Sequence, residues 1–381
     1  MKNERKKLIR ITTADISLDS LLKGQLRFLN QYFDVVGVAK DTGVLQKVGE
    51  REGIRVIDAP LERPITPVKD IKALWFLFRL FRQEKPWCVH ANTPKGSLLA
   101  MIAAWMARVP HRIYLVTGLR YQGTTGVFRF ILKTMERMTC LFASKVIPEG
   151  NGVLCSLQSD HITSKPLEVI HYGNINGVDT TYFSVDEVQK SCGNVAREVF
   201  RSRLGFIKSD FVFVFVGRIV HDKGIFELIE ALKRLSSKLL LVGSFEAGDP
   251  VSIENKQYLE LSDKVKMVGW QDDIRPYLWA ADALVFPSYR EGFPNVPMQA
   301  GAMNLASIVT NISGCNEIIK DGLNGKLVQS RNVEALFMAM KWFMEHQADV
   351  ARMAENARGM IEERYEQLDV WNALLDCYNA L

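Results

Sequence analysis

Short β-rich runs alternate with longer stretches of helical spacing, and this alternation restricts the fold more than any other feature. The first series of runs is Leu8–Thr13, Asp34–Val38, Ile54–Ile57, Cys88–His90, Ile113–Val116, Lys145–Ile147 and Glu168–Ile170. Between several of them lie helical patterns such as Ser20–Asn30, Val68–Gln83 and Ser97–Arg108. A second series follows: Phe211–Val216, Leu239–Val242, Val265–Val268, Ala283–Phe286, Ser307–Thr310 and Gly325–Val328. Strand–helix–strand alternation builds parallel sheets covered by helices. The pattern predicts an α/β chain of two doubly wound, Rossmann-like halves, and 381 residues suit two domains. The glycine-rich stretch that begins GNINGVDTTYF at Gly173 marks the boundary. It divides a first domain, 1–183, from a linker, 184–205, and a second domain, 206–363. The last stretch, Arg364–Leu381, reads as an amphipathic helix with no strand after it. Ligands of such sheets bind beyond the carboxyl ends of the strands, so the default site is the cleft between the two halves.

With 48% hydrophobic and 24% charged residues the chain has enough apolar surface to fold, which excludes disorder as its main state. Six scattered cysteines lack both C-x-x-C pairs and metal-ligand spacing, and are expected to be mostly buried, reduced thiols of a cytoplasmic protein. The charged start is no secretory signal. The best apolar run, Leu98–Ala107, is about half of what a spanning helix needs, so contact with a membrane would be peripheral. Charge is uneven. Residues 1–150 hold 25 Lys and Arg against 13 Asp and Glu, a net +12, and the remainder carries −7. A basic first half suits an anionic partner: phospholipid, a lipid diphosphate or nucleic acid. Nucleic acid is disfavoured because no recognition motif accompanies the charge. Ile71–Lys85 and Arg120–Lys145 interleave aromatic and aliphatic residues with Lys and Arg. Such helices either lie in a bilayer interface or pack on a sheet with their cations snorkelling, and both readings stay open.

Three loops of the second half carry the chemistry. In VFVGRIVHDKGIFELIEAL a strand ends at Gly217, and Arg218 and Lys223 precede a helix. A glycine, two cations and a helix N-terminus make a diphosphate cradle without Walker A spacing. In FPSYREGFPNVPMQAGAM, Glu291 lies in a Gly/Pro turn before a helix starting near Val296. A carboxylate there accepts sugar hydroxyls while helix N–H groups receive phosphate oxygens, or it simply caps the helix. Gln299 lies within that helix, in reach of a ribose. The third loop, NISGCNEIIKDGLNGKLV, has Gly314, Gly322 and Gly325 at turns, and its Glu317 reads as structural.

VGRIVHDKG, VGWQDDIRPYLWAADALVFPSYREGFPN and SGCNEIIKDGLNGKLV, in this order, resemble the donor-binding half of glycosyltransferase family 4, over about residues 211–330. ITTADISLDSLLKGQLRFL, VHANTPKGSLLAMIAA and YLVTGLRYQGTTG resemble a subgroup building bacterial capsule and O-antigen sugars on polyprenyl diphosphate. The resemblance implies a GT-B fold and a retaining, metal-independent enzyme that uses a UDP-sugar as substrate and needs no cofactor. It implies that Arg218 and Lys223 hold the diphosphate and that Glu291 binds the donor sugar. It places Gly24, Gly217, the backbone of Phe293, Asn295 and Val296, and Gln299 around the donor. His90, Thr93, Lys95, Thr117 and Arg120 line the acceptor side, and the final helix crosses back onto the first domain. It further implies work on the cytoplasmic face of the inner membrane, with a lipid-linked saccharide as acceptor and the basic half on the anionic surface. The chain departs from the pattern in four places. Gln299 stands for a second Glu, Thr117 and Asn92 stand for His, and Pro294 offers no N–H. Gln299 and Thr117 motivate an alternative, a catalytically weak or inactive nucleotide-sugar binder that serves as a partner or regulator. An epimerase of the same fold fits the basic half poorly.

Overall fold

The computed structural model describes residues 5–62 and 64–381. The chain divides into two units, one of residues up to Asn176 together with Asp369–Leu381, the other Gly177–Leu368.

In the first unit, β1 (Lys7–Ala14), β2 (Asp34–Lys40), β3 (Arg55–Asp58), β4 (Cys88–Ala91), β5 (His111–Val116) and β6 (Lys145–Pro148) form one parallel sheet. Their order is β3-β2-β1-β4-β5-β6. Successive residues of β1 point to opposite faces. Ile9 and Ile11 enter a core with Leu77, Ala100 and Leu132, from the helices Pro67–Glu84, Pro94–Met106 and Gly126–Phe142. Leu8 enters the opposite core with Leu18, Leu26 and Val48, where Leu374 and Tyr378 of the terminal helix Gln367–Asn379 also pack. With both faces covered, most of β1 is buried and much of it apolar, with Arg10, Thr12 and Thr13 as its buried polar residues.

The second unit repeats the plan. β7 (Val212–Val216), β8 (Lys238–Val242), β9 (Val265–Gly269), β10 (Ala283–Phe286), β11 (Ser307–Thr310) and β12 (Gly325–Val328) are ordered β12-β11-β10-β7-β8-β9. Numbered within its own unit, each sheet has the order 3-2-1-4-5-6 of a Rossmann-like fold. Along β7, Val212, Val214 and Val216 face one core and Phe213 and Phe215 the other.

Three expectations need correction. Glu168–Ile170 is not a strand: Leu167 makes a single bridge to Val146. The expected linker 184–205 is folded structure inside the second unit. It forms the helices Val185–Ser191 and Arg197–Arg203, both packed on the helix Arg275–Ala280. Two arginines hold it there: Arg197 and Arg201 donate to Asp282 and to carbonyls at the end of that helix. The chain passes between units at Asn176–Gly177 and again at Leu368–Asp369. The end also starts differently, because the helix Gln347–Tyr365 precedes Gln367–Asn379. Cys88, Cys140 and Cys315 are buried, whereas Cys155 is exposed and Cys192 and Cys377 are intermediate. Among the described residues no helix is long and apolar enough to cross a membrane.

Candidate active site

The loops at the carboxyl ends of β7, β10 and β11 meet through close backbone approaches in the second unit. Gly224 (φ +71°) touches the loop after β10 so closely that a Cβ there would lie 2.1 Å from the Pro287 carbonyl oxygen. Gly314 (φ +75°) lies against the same loop, where a Cβ would be 2.3 Å from the Gly292 oxygen. Only glycine combines this conformation with this proximity. Polar contacts tie the loops further. The Tyr289 N–H donates to the Asp222 oxygen at 2.8 Å, and Arg290 pairs with Asp222 at 3.0 Å. The Tyr289 hydroxyl donates to Glu227 at 2.7 Å.

This scaffold brings Lys223 against Glu291. The ammonium donates to Glu291 Oε1 and sits 5.4 Å from the centre of the Phe286 ring, with both charged side chains mostly shielded from water. Cys315 lies buried nearby; burial, then the Glu291 carboxylate, holds its thiol well above the ordinary range. Gly217 follows β7 and donates its N–H to the Val242 oxygen at 3.0 Å. Arg218 points elsewhere, pairing with Glu246 at 3.1 Å with about half of each side chain exposed. Lys223 and Glu291 are therefore brought together, while Arg218 stands apart with a solvent-exposed partner. Beyond Glu291, the Phe293 side chain is buried against the Tyr365 ring, leaving its backbone to face the loop. Pro294 is the N-cap of the helix Asn295–Ala302 and supplies no side-chain cap. Val296 packs at the edge of the core, and Gln299 is half-buried one turn on. Glu317 accepts from the Gly314 N–H at 3.3 Å, a local structural role.

In the first unit, the carboxyl edge of the sheet gathers hydroxyls. Thr93 Oγ1 accepts from the Thr13 N–H at 2.8 Å and lies 2.7 Å from its hydroxyl. Thr117 donates to the Asn92 oxygen at 3.0 Å. Arg120 is exposed on the turn Arg120–Gly123. Gly24 (φ +82°) opens the short helix Gln25–Leu29, its N–H held by Glu52 at 3.0 Å.

Two residues assigned to the acceptor side face inward. His90 is fully buried, with Nδ1 2.6 Å from the Tyr378 hydroxyl. Burial, then the Arg10 charge, holds its imidazole well below its ordinary pKa. Its work is to join the sheet to the terminal helix. Lys95 is also buried, paired with Asp70 at 2.5 Å and donating to the Pro64 oxygen. It fastens the segment before the helix Pro67–Glu84. Sequence pattern cannot separate a buried, paired cation from a ligand-facing one.

Sequence reasoning missed Glu136. It is buried, accepts from the Tyr114 hydroxyl, and is pushed up to about 7 by burial. An acidic residue at an inward position of an amphipathic helix is the signal that could have found it.

Residues 196–360 match the family described as "Glycosyl transferases group 1", and residues 30–173 match "Glycosyl transferase 4-like domain". The chain belongs to the family 4 glycosyltransferases. The capsular polysaccharide biosynthesis glycosyltransferase CapM of Staphylococcus aureus is 29% identical over 386 residues, covering 100% of this chain and 98% of the relative. An Escherichia coli UDP-Gal:alpha-D-GlcNAc-diphosphoundecaprenol alpha-1,3-galactosyltransferase is 26% identical, with 97% of each chain covered. Among solved structures, Anabaena Alr3699/HepE in complex with UDP-glucose superposes with a TM-score of 0.82 at 19% identity, covering 99% of this chain and 100% of its own. That likeness establishes the GT-B class of the fold. The chain is thus a sugar transferase whose two Rossmann-like units carry the family's two domains.

Proposed function

We propose that this glycosyltransferase moves a hexosyl or N-acetylhexosaminyl group from a UDP-sugar to a saccharide on polyprenyl diphosphate, with retention, in capsule or O-antigen synthesis. The observation that carries the reading is the Lys223–Glu291 pair, set by glycine-permitted loop contacts at the carboxyl edge of the second sheet. The diphosphoundecaprenol-linked acceptor in the name of the E. coli relative supports the acceptor class, and the name of the S. aureus relative supports capsule synthesis. The UDP-glucose complex of the Anabaena protein supports the donor.

Breaking the bond between the sugar carbon and the diphosphate oxygen puts negative charge on the leaving group. Lys223 and the N-terminus of the helix Asn295–Ala302 are arranged to stabilise it, and Glu291 to accept sugar hydroxyls. Arg218 joins them by leaving Glu246. An exposed pair of this kind contributes only about 0–1 kcal/mol, so the exchange costs little. The acceptor hydroxyl attacks from the face the diphosphate leaves, and a diphosphate oxygen takes its proton. This chemistry needs neither a protein nucleophile nor a metal. Because the acceptor is lipid-borne, the enzyme works peripherally on the cytoplasmic face of the membrane. The test is transfer of radiolabelled sugar from a panel of UDP-sugars to polyprenyl-diphosphate saccharides in detergent. Product with one donor supports the reading, whereas UDP binding without transfer to any acceptor favours the inactive homologue.

A further inference from the structure

The helix Gly126–Phe142 buries polar residues and exposes apolar ones. Its inward side is Leu132, Glu136, Thr139 and Cys140. Its outward side is Val127 (76% exposed), Phe130 (66%), Ile131, Met138 and Leu141 (68%). At helical spacing these five fall on one stripe about 100° wide. The stripe runs for about 21 Å, at 1.5 Å per residue. Among the described residues nothing covers it. Its charge is one-sided. Arg129 and Arg137 are exposed, Lys133 is paired with Asp160, and the helix's one acidic residue, Glu136, is buried. The helix Pro94–Met106 packs alongside and extends the apolar surface with Trp105, whose ring lies 5.1 Å from Phe142. Next in the layer, the helix Pro67–Glu84 exposes Ile71 and Trp75 beside Lys72 and Arg79.

We infer that this layer docks the first unit on an anionic lipid bilayer, with the helix Gly126–Phe142 lying in the interface. An exposed apolar stripe on a helix whose exposed charges, Arg129 and Arg137, are both cations matches acyl chains beneath phosphate headgroups. A second copy docked on the same face would bring this cationic helix of one protomer against that of its partner, which like charge opposes. The inference rests on the lipid-borne acceptor proposed above and names the surface that meets the bilayer. It also has a consequence for that acceptor. The helix begins just after Thr117 and the Arg120–Gly123 turn, at the carboxyl edge of the sheet. Docking brings this edge to the depth where lipid phosphates lie.

The full chain is sedimented with vesicles of phosphatidylcholine alone or of phosphatidylcholine with phosphatidylglycerol. Binding is expected to the anionic vesicles, with affinity falling about tenfold or more in Phe130→Ser/Leu141→Ser. Arg129→Glu/Arg137→Glu is expected to remove the preference for anionic lipid. Both variants replace exposed side chains, and an unchanged circular dichroism spectrum and melting transition verify their fold. If the apolar pair fails to fold, Val127→Ser replaces it. Equal vesicle binding by native and variant protein overturns the inference. So does absence of vesicle binding, including the case in which the native protein dimerises and Phe130→Ser/Leu141→Ser is monomeric. Transfer to a short-chain, detergent-soluble acceptor reads the proposed reaction separately. Its loss with vesicle binding intact counts against the reaction, not against the docking face.

Discussion

Lys223 and Glu291 sit 68 positions apart in sequence and touch at the edge of the second sheet. Lys223→Ala and Glu291→Ala should each lower kcat by about 100-fold or more, because preorganised charge at the leaving group is lost. Circular dichroism and the melting transition should show the fold retained. Full activity in either variant would remove that residue from the site. Both residues were legible from the sequence, Lys223 as a cation between a strand-ending glycine and a helix start and Glu291 as a carboxylate in a Gly/Pro turn before a helix. Arg218 was legible as a cation near the same loop, but its contact with Glu246 was not, since a half-exposed side chain's direction is not written in spacing. His90 and Lys95 show the other limit: a polar residue near the carboxyl end of a strand, or in the first turn of the helix that follows, reads the same whether it faces a ligand or a buried partner. Glu136 gives a second prediction. Its folded pKa of about 7 lies above the ordinary 4.5, so it stays protonated in the native unit where the unfolded chain ionises. Stability should therefore fall as pH rises from about 4.5 through 7. Glu136→Gln should abolish this slope and recover about 3 kcal/mol at pH 8, read by urea denaturation across pH.

Strands were the most legible elements, since runs such as VFVFV and KLLLV have no other stable use between glycine and polar turns. The 184–205 helices were read as linker because each is only seven residues long. What orders them is the pairing of Arg197 and Arg201 with Asp282, a contact about eighty residues away that no local window contains. The terminal helix was visible as an amphipathic segment, but its latch was not. The Tyr378 hydroxyl lies 2.6 Å from His90 Nδ1 and accepts from Arg10 at 3.3 Å, all three side chains buried. Tyr378→Phe should destabilise the first unit by about 1–3 kcal/mol, because buried polar atoms of His90 and Arg10 lose a partner. A drop in melting temperature with the UDP-induced shift unchanged would confirm that the latch belongs to the first unit alone. At the loops after β7 and β10, Gly224→Ala should force the two strand ends apart. A positive φ and a carbonyl 2.1 Å from the new Cβ both oppose it. UDP affinity should fall by at least about tenfold, measured by calorimetry.

Two sheets of equal order are joined in one chain: the acidic half carries the loops proposed to hold the donor and the basic half the exposed apolar helices. This division was legible in the charge balance, +12 against −7, before any fold was known. Lys223 is proposed to hold a nucleoside diphosphate on the second unit. Thermal unfolding with UDP, GDP and CMP, on the native protein and on Lys223→Ala, tests it most directly. At 100 times its dissociation constant, a ligand adds about 2.7 kcal/mol to the native state. UDP alone is expected to raise the transition, and Lys223→Ala to abolish the rise. An unmoved transition with all three nucleotides, or an equal rise in the variant, would contradict it.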